Sequence, residues 1–279
     1  MTMQYRPWAW VNPPTNPQPG VVHRTYYSDA MQCDVGYNIY LPPGYAEGDA
    51  RYPMIYWLHG LNNCESTDYF PAKYLEQGIR SGALPPTILV YPNGWWCGFY
   101  SDSADGRILS ETTIIKELIP HVDRTYRTIP KREGRAIQGM SMGGFGALKF
   151  AFKYVDLFSS VVAFAPALVD AQELSTRHPQ ILQTMFNGEA QRFTENTPAT
   201  WALKNAERIR NHLPIWIICG AEDGLLGYIQ KMHQRLDEIE IPHAFEVIPS
   251  IAHNLPALAE AVQTRGFAFA ARAFRLSDE

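Results

Sequence analysis

Between Arg135 and Tyr154 a short apolar run meets a turn of small residues, and a helix-forming run follows. The turn reads Gly139-Met140-Ser141-Met142-Gly143. A serine at a sharp strand-to-helix junction sits in a strained backbone conformation, and side chains two residues to either side would collide across the turn. Glycine at both places removes the collision. Such a turn lifts the Ser141 hydroxyl above a sheet edge and aims the positive end of the next helix at it. A small-residue turn with no chemistry shares this pattern, so the reading depends on what the rest of the chain brings to the serine.

The flanking pattern predicts a sheet. Val21–Ser28 and Val35–Leu41 read as an antiparallel hairpin; Val35, Tyr37, Ile39 and Leu41 alternate with more polar neighbours, the period of a half-buried strand. Met54–His59 is a nearly continuous apolar run, which suits a strand covered on both faces, and Thr87–Tyr91 reads as another buried strand; Phe158–Pro166, Ile215–Cys219 and His243–Ile248 read as further strands. Helical patterns fall between them. One runs from about Tyr69 to Ser81. Another starts at Ser110 as N-cap and meets Pro120, which would kink it. A third carries Leu225, Ile229, Met232, Leu236 and Ile239 on one face, and a last, alanine-rich one runs from Leu255 to Phe274. The alternation predicts a doubly wound parallel sheet. Residues 1–20 form a proline-rich arm whose Trp8 and Trp10 dock on the body. Residues 21–279 form a single domain. Within it, 167–212 is a more polar helical insertion, broken at Pro179, Gly188 and Pro198, that could serve as a lid.

A serine hydroxyl is a weak nucleophile near neutral pH; it needs a base, and the base needs an orienting group. After the strand ending at Cys219 the chain reads Gly220-Ala221-Glu222-Asp223-Gly224, and after the last strand Pro249-Ser250-Ile251-Ala252-His253. Both turns lie at strand C-terminal ends, on the rim where Ser141 opens. Of eight histidines, His253 alone follows the last strand, which makes it the candidate base. Either Glu222 or Asp223 could orient it; Asp223, placed before Gly224 at the turn tip, is favoured. An oxyanion hole needs two backbone N–H groups. Met142 follows the nucleophile and Leu61 lies in the loop after His59; these are the candidates. His59 is either a loop-orienting group or a buried histidine satisfied by backbone. Trp95, Trp96, Phe99 and Tyr100 follow another strand and could line an acyl or alcohol pocket, or pack beneath the loop.

Composition excludes several classes. At 46% hydrophobic and 19% charged, 279 residues suffice for a large core. A net charge of −4 gives no basic footprint for nucleic acid. No apolar run approaches a membrane span, and the N-terminus lacks the continuous apolar stretch of a signal peptide. The expected compartment is therefore the cytoplasm, or the exterior if a signal has been removed. Four cysteines make no disulfide scaffold, although Cys64 and Cys97 could pair or remain thiols. No CxxC or His/Cys cluster predicts a metal site.

With these residues together, the chain resembles the esterase D/feruloyl esterase family of α/β-hydrolases, which spans carbohydrate esterases, S-formylglutathione hydrolases, short-chain acyl esterases and mycolyltransferases. The matching pieces are Leu58-His59-Gly60, the run from Gly139 to Ala147, Gly220-Ala221-Glu222-Asp223 and His253, with Tyr100-Ser101-Asp102 and residues 117–123 beside them. The resemblance implies an α/β-hydrolase fold: a mostly parallel central sheet, helices on both faces, and a helical insertion. It implies a triad of Ser141, Asp223 and His253, an oxyanion hole from Leu61 and Met142, and no cofactor. The implied substrate is a feruloyl- or acetyl-type ester, small or linked to carbohydrate, with Trp95, Trp96 and Tyr100 as substrate contacts. A short-chain esterase, a thioesterase of the S-formylglutathione type, an acyltransferase and a non-catalytic binding protein are the rival expectations.

Overall fold

The computed structural model describes residues 9–16, 18–67 and 71–274, so Trp8 and the predicted helix start at Tyr69 lie outside the described residues. Strands β1 (Val21–Ser28) and β2 (Cys33–Tyr40) form the expected hairpin, Val21 opposite Tyr40 and Ser28 opposite Cys33. Then come β3 (Met54–Leu58), helix α1 (Ala72–Arg80) and β4 (Ile88–Pro92). Every residue of β3 and β4 is buried, which is why these runs are apolar without alternation.

Residues 110–125 are helical in three pieces: α2 (Ser110–Thr112), a π-helical stretch Thr113–Leu118, and α3 (Ile119–Thr125). The cap differs from expectation. The Ser110 side chain caps nothing; the Asp102 carboxylate instead accepts from the Thr112 N–H (3.0 Å) and hydroxyl (2.7 Å). The kink expected at Pro120 appears as the widened stretch just before it. A proline ring clashes with the carbonyl four residues earlier, and a wider turn relieves that contact.

Next come β5 (Arg135–Met140), α4 (Met142–Lys153) and β6 (Val161–Phe164). The 167–212 stretch is filled by five short helices, α5 (Ala171–Arg177), α6 (Pro179–Phe186), α7 (Ala190–Glu195), α8 (Pro198–Lys204) and α9 (Ala206–His212). Asp170 caps α5 by accepting from the Glu173 N–H, and Thr197 caps α8 in the same way. The chain closes with β7 (Ile215–Gly220), α10 (Leu226–Glu238), β8 (Ala244–Ile248), α11 (Leu255–Val262) and α12 (Arg265–Ala273). The single final helix predicted from Leu255 to Phe274 is two helices, because Gln263 turns the chain at φ 47°.

The sheet has eight strands in the order β1-β2-β4-β3-β5-β6-β7-β8. The first two pairings are antiparallel and the rest parallel. After β3 the chain steps to one side for β4 and returns to the other for β5. That reversal is a topological switch point, where open α/β sheets bind ligands above their strand ends. Among the described residues no helix is long and apolar enough to cross a membrane.

A buried charge pair ties α4 to α2, and its lysine also holds the segment before α2. Lys149, fully buried, meets Glu111 at 2.8 Å and donates to the Tyr100 carbonyl (2.8 Å) and the Ser101 hydroxyl (2.7 Å). Burial alone would push the Glu111 carboxyl up, but the ammonium groups of Lys149 and Lys153 outweigh it and hold the carboxyl near 2. Every donor of the Lys149 ammonium thus has an acceptor, the condition for a buried charge to be tolerated.

Candidate active site

Ser141 stands between β5 and α4 at φ 56° and ψ −118°, a strained backbone for a residue with a Cβ. The strain is held by hydrogen bonds on both sides. The Ser141 N–H donates to Phe164 O (2.9 Å), and its carbonyl accepts from Ala167 N–H (2.9 Å) and Phe145 N–H (3.0 Å). The two flanking glycines are sterically required. A Cβ on Gly139 would meet the carbonyl of Gly143, and one on Gly143 would run into Leu58 O and lie 2.7 Å from His59 O. These are backbone atoms, of α4 for Gly139 and of β3 and its loop for Gly143, so no side-chain rotation relieves the contact. Gly143→Ala is therefore expected to cost about 3 kcal/mol or more. Calorimetry should show Tm lowered by roughly 6–12 °C; a Tm within about 2 °C of wild type would contradict this account.

Sheet pairing brings two distant turns beside the serine. Gly220 at the end of β7 is in register with Ile248 at the end of β8. The turns after them, carrying Asp223 and His253, therefore emerge side by side. The Ser141 hydroxyl donates to His253 Nε2 at 2.9 Å, and His253 Nδ1–H donates to Asp223 Oδ2 at 2.7 Å. Asp223 is buried and its Oδ1 accepts from Leu225 N–H (2.8 Å), whereas Glu222 is exposed. Of the two carboxylates left open by the sequence, geometry brings Asp223 to the imidazole. Just after the histidine, Asn254 caps α11 by accepting from Ala257 N–H (3.0 Å), which anchors that turn. An imidazole with this tautomer can take a proton from the hydroxyl.

The loop after β3 lies against the serine because Leu58 pairs with Gly139 across β3 and β5. The N–H groups of Leu61 and Met142 make no hydrogen bond among the described residues, and both residues line the cavity that holds Ser141. They are available to an incoming oxygen. His59 unites its two sequence readings: it is buried, its Nδ1–H donates to Gly60 O (2.9 Å), and its Nε2 accepts from Gly94 N–H (3.0 Å). It is satisfied by backbone and fixes the loop by the same two bonds.

The cavity measures about 540 Å³. Its apolar walls include Phe99, Val169, Leu174 and Leu225; Asn62, Asn63, Glu173, Arg177 and His178 supply polar atoms. Glu173 and Arg177 are ion-paired on α5. The pocket contacts predicted at Trp95, Trp96 and Tyr100 need correction, since none of the three lines this cavity. Tyr100 is fully buried, with its hydroxyl donating to His59 O (2.9 Å) and its ring edge-on to Phe150. It supports the loop from below. The Trp95 ring packs on Trp10 at 4.7 Å, and the Trp96 carbonyl accepts from Asn62 N–H (2.8 Å). Trp95, Phe99 and Tyr100 all have positive φ, and the Lys149 ammonium and the His59 carbonyl hold Tyr100 from below, so the loop doubles back and delivers only Phe99 to the cavity. Cys64 and Cys97 are not joined; both remain thiols, and burial pushes Cys97 up to about 12. The lining residues of α5 went unpredicted, although Glu173, Leu174 and Arg177 recur at the three- and four-residue spacing of one helix face.

Comparison with known proteins bears on the family and the fold. The family model "Esterase: Putative esterase" matches residues 28–247. Over 146 residues the chain is 35% identical to Esterase MT1326 and Esterase Rv1288 of Mycobacterium tuberculosis. That match takes in 51% of this chain and 31% of each relative, so it spans about a third of the length of these curated relatives. Among solved structures, a ferulic acid esterase superposes with a TM-score of 0.79 at 23% identity, over 91% of this chain and 98% of that one. The S-formylglutathione hydrolase FrmB of Staphylococcus aureus superposes with a TM-score of 0.74 at 22% identity, over 90% and 98%. At these identities the structural likeness establishes the α/β-hydrolase fold.

Proposed function

The chain belongs to the esterase family, and from that premise we propose that it hydrolyses carboxylic esters through an acyl-enzyme on Ser141. The observation that carries this reading is the relay from the Ser141 hydroxyl through both nitrogens of His253 to the buried Asp223 carboxylate, opening on a cavity. His253 takes the hydroxyl proton as Oγ attacks the ester carbon. The carbonyl oxygen, now negative, is received by the N–H groups of Leu61 and Met142, where each donor is worth about 10²–10³ in rate. His253 then gives its proton to the leaving alcohol. Water repeats the sequence to release the acid. Asp223 keeps the Nδ1 proton in place throughout.

The proposed substrate is a feruloyl- or acetyl-type ester of a carbohydrate. The cavity is larger than an acetyl group needs, and its Phe99, Val169 and Leu174 walls suit an aromatic acyl chain. Asn62, Asn63 and Arg177 offer hydrogen bonds that suit sugar hydroxyls. The named ferulic acid esterase among the structural neighbours points the same way. Residues 167–212 act in this reading as a lid whose α5 forms one wall.

A panel of methyl ferulate, p-nitrophenyl acetate and S-formylglutathione tests the assignment. Turnover of methyl ferulate with release of free ferulate is expected. Turnover of S-formylglutathione alone would replace this reading with a thioesterase, and acyl transfer to an added alcohol in preference to water would replace it with a transferase.

A further inference from the structure

Away from Ser141, α10 and β8 bring together three ligand-bearing side chains. His233 and Asp237 lie one turn apart on α10, and His243 stands just before β8. One ligand atom from each lies within 4.8 Å of the others. Ser141 follows the C-terminal end of β5, whereas His243 precedes the N-terminal end of the parallel β8, so this cluster sits at the opposite edge of the sheet.

The partners assign the ring protons. The His243 side chain is covered and its Nδ1–H donates to Ile241 O at 2.8 Å, so in the neutral ring its Nε2 carries a lone pair. The contact of 2.7 Å between His243 Nε2 and His233 Nδ1 therefore places the proton on His233 Nδ1. In that neutral form His233 Nε2 also carries a lone pair, and it faces Asp237 Oδ2 at 3.7 Å. Two Lewis bases then confront each other with no proton between them, and a third, His243 Nε2, stands beside them. A cation resolves that arrangement.

We propose that His233, Asp237 and His243 form a binding site for a divalent first-row transition metal of the zinc class. Two imidazole nitrogens and one carboxylate oxygen are the donor set such ions take, with water completing four-coordination. The Ile241 carbonyl already holds the His243 ring by its other nitrogen, as outer partners do at metal sites. The His233 ring is braced on Phe245 at 4.6 Å. Only the contact between the two imidazoles has to open, and His233 keeps its Nδ1 proton. The metal would clamp α10 to the edge strand β8, far from the ester chemistry, so its effect is on stability.

Calorimetric titration of the chelator-treated full chain with Zn²⁺ tests this. One equivalent is expected to bind, with a rise in Tm and no change in ester turnover. Asp237 is exposed, so Asp237→Asn leaves folding intact and is expected to weaken binding by at least the roughly 10–100-fold that loss of an outer partner costs. His243→Ala should abolish binding. A wild type that takes up no stoichiometric Zn²⁺, the result expected if a proton alone fills the gap between His233 and Asp237, overturns the proposal. Equal Zn²⁺ affinity in wild type and Asp237→Asn, which would place the ion at other histidines or thiols, overturns it as well.

Discussion

Ser141→Ala is expected to lower kcat by about 10⁶ while the protein stays folded. The size follows from shared work: once the attacking oxygen is gone, His253 and Asp223 have no proton to move, so the loss equals that of the whole relay. What remains is binding and the pull of the Leu61 and Met142 N–H groups, worth about 10³–10⁴ over water. The fold tolerates the change because the hydroxyl bonds to His253 Nε2, while the elbow is held by backbone bonds to Phe164 and Ala167. Two measurements check it: kcat on p-nitrophenyl acetate, and covalent labelling by a fluorophosphonate probe followed by mass spectrometry. A labelled alanine variant, or one that keeps more than a hundredth of wild-type turnover, would remove Ser141 from the centre of the reaction.

Asp223→Asn is expected to lower kcat by about 10⁴ with little change in Tm. Leu225 N–H donates to Oδ1, and an asparagine would keep its carbonyl there. Its NH₂ group must then face His253 Nδ1, which in turn must give up its proton to accept. The ring proton moves to Nε2 and confronts the serine hydroxyl, so the base is lost although every heavy atom stays in place. Glu222, adjacent and exposed, serves as the internal comparison, because Glu222→Gln should leave kcat within about twofold if its charge is only solvated. Equal losses in the two variants would mean that neither carboxylate orients the base.

Much of this arrangement was legible in the chain because each part leaves a local trace. Buried parallel strands such as β3 are unbroken apolar runs, and the elbow needs glycine wherever backbone meets backbone. The turns holding Asp223 and His253 follow apolar strands directly. The aromatic loop was harder. Trp95, Trp96 and Tyr100 carry the composition of a pocket, yet where a side chain points in a loop of repeated positive φ depends on bonds made by distant residues, here Lys149 and His59. The break at Gln263 leaves little trace either, since helix-forming residues continue on both sides. Asp102 replaced Ser110 as a cap because its carboxylate reaches across from another segment. The meeting of His233 and His243 is likewise a product of tertiary packing, as one sits mid-helix and the other in a connecting loop.

The pairing of Gly220 with Ile248 has a temporal meaning. A slip of one residue there would carry the His253 turn about 3.3 Å along the sheet and reverse the faces of β8. A chain in which β8 has not yet joined its neighbour possesses the reactive alcohol but not its base. Turnover therefore cannot return after dilution from denaturant before β8 has paired with β7, and the gathering of the other strands alone passes unseen by any assay of catalysis.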